Sequence, residues 1–134
     1  MVKALFDTNI LIDYLNGIDA AATELQRYRD RAISLITWME VMVGTTEEEI
    51  PAVKGLLSQF ELVPISLDIA SAAVPLRQIL GLNLPDAIIL ASAQVGNRLL
   101  VTRDTKDFPP GFAGVRIPYL VEQPPAKPSK RTRR

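Results

Sequence analysis

The hydrophobic positions of this 134-residue chain fall into short solid runs and longer spaced runs, in alternation. Solid apolar runs of four or five residues, rich in β-branched types, predict strands at 2–6, 32–36, 62–65 and 99–102, with an edge strand at 114–118. Between them the apolar residues recur at helical spacing. The pattern predicts helices over 10–15 and 21–31, broken at Gly17, and over 37–44, closed by Gly44. Further helices are expected over 46–60, over 67–80 with a kink at Pro75, and over 84–96. The last is apolar almost all round, as a buried helix is. Short apolar strands alternating with helices are the signature of an α/β fold with a parallel sheet covered on both faces. From Glu122 the text "EQPPAKPSKRTRR" has almost nothing to bury. The expected organisation is one domain over 1–121 and a flexible basic tail over 122–134.

Composition sharpens the functional reading. The formal net charge is zero, but residues 122–134 hold five basic residues and one acid, which leaves ten basic and fourteen acidic residues in 1–121. An acidic body suits the collection of cations better than general polyanion binding. The chain contains no cysteine and no histidine. Thiolate zinc sites, disulfides and Cys or His nucleophile–base pairs are therefore excluded. The opening "MVKALFDTN" is too short and too quickly acidic for a secretory leader, and no apolar run reaches the length of a membrane span. A cytoplasmic protein is expected.

Four acids fall where such a sheet builds its sites, beyond the carboxyl ends of the strands. Asp7 follows the first strand, Glu40 the second, and Asp104 the fourth. Asp86 opens the helix that feeds the fourth strand, and its place in space depends on how that helix folds back. Each has an ordinary explanation when taken alone. Asp7 can cap a helix, Thr37-x-x-Glu40 spells a capping box, Asp86 lies in a first helical turn after Pro85, and Asp104 can cap a turn. Together they repel: two such charges about 4 Å apart cost roughly 4 kcal/mol at an intermediate dielectric. A divalent cation removes that cost. An all-oxygen donor set points to Mg²⁺ or Mn²⁺ rather than Zn²⁺.

The segments "LFDTNILIDYL", "SLITWMEVMVG", "LNLPDAIILASAQ" and "LLVTRDTKDF" resemble, in order and spacing, the four motifs of PIN-domain ribonucleases. The resemblance spans residues 1–118 and is nearest to the VapC-type toxins of toxin–antitoxin pairs. It implies a three-layer fold with strand order 3-2-1-4-5 and an acidic pocket at the carboxyl edge. The implied catalytic acids are Asp7, Glu40, Asp86 and Asp104. Asp7, Asp86 and Asp104 would be the metal ligands. Asn9, Thr102 and Asp107 would support them, Asp107 from an outer position or a turn. The implied activity is Mg²⁺- or Mn²⁺-dependent hydrolysis of RNA. Without histidine, the usual acid–base pair for attack by the RNA 2′-hydroxyl is missing, so attack by water is expected to leave 5′-phosphate and 3′-hydroxyl ends.

Arg103, Lys106, Arg98 and Arg77 are candidate RNA contacts, each weighed against simple solvated charge. The tail could add salt-sensitive RNA affinity. Trp38 is expected in the core. Relatives pair with themselves and with an antitoxin, so a homodimer and a cognate antitoxin are expected, using the apolar surface of segments 10–15, 23–31 and 49–60. The competing function is a non-catalytic PIN-like module that binds RNA or protein. A haloacid-dehalogenase-type phosphatase would need an acid at position 9, where the chain has Asn9. A receiver domain would need paired acids near the first strand.

Overall fold

The structure is a computed structural model that describes residues 2–109 and 111–120. The chain starts in strand β1 (Lys3–Phe6), then forms α1 (Thr8–Leu15), α2 (Asp19–Gln26) and β2 (Asp30–Ser34). Next come α3 (Leu35–Val43), a 3₁₀ turn (Glu47–Glu49), α4 (Ile50–Leu57) and β3 (Glu61–Val63). A helical pair, α5 (Leu67–Leu80) and α6 (Leu84–Val95), leads to β4 (Leu99–Val101) and β5 (Val115–Arg116). The strands form one parallel sheet in the order β3-β2-β1-β4-β5. The α/β class and the strand order agree with expectation.

Strand periodicity explains the layers. Successive side chains of β1 point to opposite faces. Ala4 and Phe6 join a core with Ile10, Leu11, Leu25, Val41 and Leu57 from α1 to α4. Leu5 joins a second core with Leu100, Ile69, Leu90 and Phe108, under α5 and α6. Both faces of the central strand are dry, which is why it reads as a solid apolar run. Trp38 is half-buried against the first core, as expected.

Several boundaries differ from the pattern. The helix expected over 21–31 stops at Gln26, and Asp30 and Arg31 begin β2. Helix-friendly composition yields here to tertiary partners. Asp30 and Arg31 pair in register with Lys3 and Ala4, Asp30 binds Arg98, and Arg31 lies over the Phe60 ring. Helix α3 starts at Leu35, not at position 37, because the Ser34 hydroxyl accepts from the Ile36 amide and caps it. The segment 46–60 divides into the 3₁₀ turn, closed by a capping box between Thr46 and Glu49, and α4. The α1–α2 break falls at Gly17, whose φ of +82° is left-handed. Strands β3 and β5 are shorter than expected.

The expected partner surfaces also change. Helix α1 exposes Ile12, Tyr14 and Leu15, but no large exposed apolar residue lies on α2 or α4. Instead, α5 and α6 expose Leu67, Val74, Ile79, Leu80 and Leu84. Among the described residues no helix is long and apolar enough to cross a membrane. The basic tail, 122–134, lies outside the described residues.

Candidate active site

Three strand ends and one helix start meet at the carboxyl edge of the sheet. Asp7 leaves β1 and is the N-cap of α1, its Oδ1 accepting from the Thr8 amide at 2.7 Å. The capping reading is therefore true, but it uses only one of the two carboxylate oxygens. Oδ2 accepts from the Thr102 hydroxyl at 2.7 Å and from Asn9 Nδ2 at 3.4 Å. The Thr102 hydroxyl also accepts from Asn9 Nδ2 and from the Asp104 amide, both at 3.1 Å. One donated and two accepted bonds fill the capacity of that hydroxyl. Buried Thr102 thus joins Asp7, Asn9 and Asp104 in one network.

Glu40 lies on α3 and is exposed. Its Oε1 accepts from the Thr8 hydroxyl, and Thr8 in turn pairs with the Thr37 hydroxyl at 3.0 Å. Thr8 has one hydroxyl proton, which goes to the carboxylate, so Thr37 supplies the proton between the two threonines. This overturns the capping-box reading of Thr37 and Glu40. Thr37 is buried within the helix and serves the orientation of Glu40 rather than the helix end. Nothing in the periodicity marked Thr8 or Thr37. Their partners come from another element.

Asp86 stands in the first turn of α6, which folds back over the sheet. Carboxylate oxygens of Asp86, Asp104 and Asp107 lie within 4.8 Å of one another. Asp107 thus stands beside Asp86 and Asp104, and its amide also joins the turn that Asp104 caps. Asp104 also shapes its own loop, as Oδ1 accepts from the Lys106 and Asp107 amides at 2.9 and 3.2 Å. Its turn-capping role and its place among the acids coexist.

The electrostatics record the crowding. Burial raises the Asp7 carboxyl from 3.8 to about 6, against the lowering hydrogen bonds from Thr102 and Thr8, and the charges of Glu40 and Asp104 add to the rise. Asp86 is pushed up to about 7, first by burial, then by its hydrogen bond with Asp107 and by the charges of Asp7, Asp107 and Asp104. The acids face a cleft of about 510 Å³ lined by Asp7, Glu40, Asp86 and Asp104 together with the apolar side chains of Ile12, Met39 and Val43. Among the described residues, no lysine or arginine lines it.

The basic candidates lie elsewhere. Arg98 sits at the opposite, amino edge of the sheet, bound to Asp30 at 2.6 Å and Glu61 at 2.7 Å. Arg77 donates to the Leu82 carbonyl at 3.0 Å and braces the turn between α5 and α6. Lys106 is exposed on the loop after β4. Arg103 points to α1, where its guanidinium forks onto the buried carboxylate of Asp13. Asp13 was missed in the sequence, although it follows Ile10 by three residues on the apolar stripe of α1.

Comparison with known proteins agrees with this geometry. Residues 4–109 match the model of the PIN domain family. A chain of a toxin–antitoxin complex from Klebsiella pneumoniae is 50% identical, with a TM-score of 0.85 over 89% of this chain and 100% of that one. VapBC2 from Rickettsia felis, bound to a promoter DNA fragment, contains a chain 24% identical, with a TM-score of 0.69 over 81% of this chain and 91% of that one. DNA-bound VapBC from Salmonella typhimurium gives 23% identity and a TM-score of 0.72 over 87% of this chain and 96% of that one. These last two likenesses are of fold. No curated protein matches the chain significantly. The parallel sheet with its acids at one edge, the matched family model and the relative at half identity place this chain in the PIN-domain family.

Proposed function

We propose that the chain is a divalent-metal-dependent endoribonuclease and the toxin of a toxin–antitoxin pair. One observation carries the catalytic half of the reading. Asp7, Glu40, Asp86 and Asp104 line one cleft at the edge of the sheet, Asp107 stands beside Asp86 and Asp104, and the cleft has no basic lining residue among those described. Such a pocket repels phosphate by itself. The donor chemistry fits a hard cation, because every available ligand is a carboxylate oxygen and three of them already lie within 4.8 Å. Asp86 and Asp104 would hold Mg²⁺ or Mn²⁺ together with Asp7 or Asp107. A bound cation supplies charge neutralisation for the phosphate and makes water more acidic.

The chain's own residues do the rest. The Thr37–Thr8 hydroxyl pair fixes one oxygen of Glu40, and the other is free to orient or deprotonate an attacking water at the cleft. Thr102 and Asn9 hold Asp7 in place against the repulsion of its neighbours. The exposed apolar lining of Ile12, Met39 and Val43 suits the faces of unpaired bases better than a phosphate backbone.

The toxin half of the reading rests on the Klebsiella relative, whose structure is described as a toxin–antitoxin complex. That description supports a cognate antitoxin as partner, and the reading adds a homodimer and a cytoplasmic setting as proposals of its own. The apolar residues exposed on α1, α5 and α6 would serve the protein contacts.

The test is cleavage of a cellular RNA pool with Mg²⁺ or Mn²⁺, with EDTA, and with Asp7→Asn, followed by mapping of product ends. Discrete metal-dependent cuts bearing 5′-phosphates, lost in the variant, are expected. Products ending in 2′,3′-cyclic phosphate would overturn the mechanism. Folded protein that neither cuts RNA nor binds Mn²⁺ would favour the non-catalytic module.

A further inference from the structure

Asp13 is a charged residue almost wholly removed from water, at 3% exposure. Its carboxylate accepts from Arg103 Nε, from Arg103 Nη2 at 3.0 Å and from the Tyr119 hydroxyl at 2.8 Å. A buried carboxylate with three donors is well satisfied, and the two bonds from one guanidinium fix direction as well as distance. One turn earlier on α1, Asn9 Oδ1 accepts from the Arg103 backbone amide at 3.3 Å. Residue 103 is therefore gripped twice by the same helix, through its backbone by Asn9 and through its side chain by Asp13. Its neighbours in the chain are Thr102, which donates to Asp7, and Asp104, which stands among the acids.

Resting on the nuclease reading above, the geometry points to Asp13, Arg103 and Tyr119 as a clamp that positions Asp104, and with it the cation site, from outside the cleft. Arg103 then has no role in contacting RNA. Its guanidinium is spent on α1, and Tyr119 brings the segment after β5 to the same carboxylate. Asp7 and Asp104 come from parts of the chain about ninety-seven residues apart, and the backbone pairing of β1 with β4 ends where the Asp7 amide donates to the Val101 carbonyl at 2.9 Å. The clamp joins them one step past that edge.

The experiment uses the full chain, four single variants, Asp13→Asn, Arg103→Lys, Arg103→Gln and Tyr119→Phe, and one double variant. Amide hydrogen exchange without metal is read over residues 102–107, and Mn²⁺ affinity is measured by calorimetry. Asp13→Asn and Arg103→Lys should speed exchange in that loop at least tenfold while β1 and α6 stay protected. They should weaken Mn²⁺ binding by about 10-fold or more, the usual effect of losing an outer support of a metal site. Tyr119→Phe, which leaves the fork intact, should give a smaller shift in the same direction. The double variant Asp13→Asn/Arg103→Gln should be no worse than the poorer single variant, since the two act through one interaction.

If Arg103→Lys matches wild type while Arg103→Gln raises only KM for RNA, Arg103 is an RNA contact and the clamp is wrong. Exchange that rises evenly across the molecule would also overturn it, by showing general support of the fold. Should Asp13→Asn not fold, Arg103→Lys and Tyr119→Phe decide alone. Failure of the nuclease reading looks different: wild type would neither bind Mn²⁺ nor cut RNA, and the exchange pattern would still report on the clamp.

Discussion

Asp7 carries three duties at once: it caps α1, anchors Thr102 and faces the cleft. The cost appears in its ionisation. With its carboxyl raised from 3.8 to about 6, the folded chain keeps a proton over a pH range in which the unfolded chain has released it. The Asp7 contribution is fully present below about pH 4 and is lost as pH rises through 6, at a cost of about 3 kcal/mol. Asp86, raised to about 7, acts in the same direction. Asp7→Asn retains a good capping residue but turns one acceptor into a donor facing Thr102 and Asn9. Denaturation in EDTA should find the variant less stable than wild type near pH 4 and gaining relative to it up to pH 8. A difference that stays constant with pH would place the raised carboxyl elsewhere.

At the scale of elements, the junction of β2 and α3 separates two roles that the text "SLITWME" runs together. Ser34 caps the helix and Thr37 serves Glu40. Ser34→Ala should cost about 1 kcal/mol of stability, with little effect on kcat in RNA cleavage beyond that. Thr37→Val keeps volume and helix but removes the proton that Thr8 needs. It should lower kcat at least tenfold while KM for RNA moves little, the pattern of a group that orients the chemistry. Equal effects of the two substitutions would show that Thr37 supports the fold and does not orient Glu40. Helix α6 depends on small residues: Ala87 and Ala91, one turn apart, are fully buried against the second core. Ala91→Leu should destabilise by about 1–3 kcal/mol in a chemical denaturation series, because that core has no room to yield.

For the whole molecule, the proposed reading makes the acids a store of repulsion that a bound cation would release. Binding at a concentration about 100 times Kd should stabilise the fold by about 2.7 kcal/mol. Scanning calorimetry should show a rise in Tm with Mn²⁺ in wild type, a smaller rise in Asp86→Asn, and no decline in stability between pH 5 and 8 once the cation is present. Absence of any rise in wild type would count against the site. Helices α5 and α6 expose Leu67, Val74, Ile79, Leu80 and Leu84, apolar surface unlike the acidic cleft. Light scattering at high concentration should find more than a monomer, and a strict monomer would argue against self-association there.

The sequence by itself determined the period of each element, and so the α/β class. Solid, short apolar runs such as "VKALF", bounded by turn signals and alternating with helices, are the pattern of strands buried on both faces of a parallel sheet. It also determined the donor chemistry of the site, since a chain without histidine or cysteine has little but oxygen to offer. Tertiary structure decided what each polar group meets. Thr37 left the capping box because Thr8 lies across from it, Arg103 turned from the cleft because Asp13 is buried beside it, and Arg98 went to the far edge because Asp30 and Glu61 await it there. Asp30 and Arg31 became strand for the same reason. Period is a local property of the backbone. A hydrogen bond or ion pair joins residues tens of positions apart, and only the folded chain brings them together.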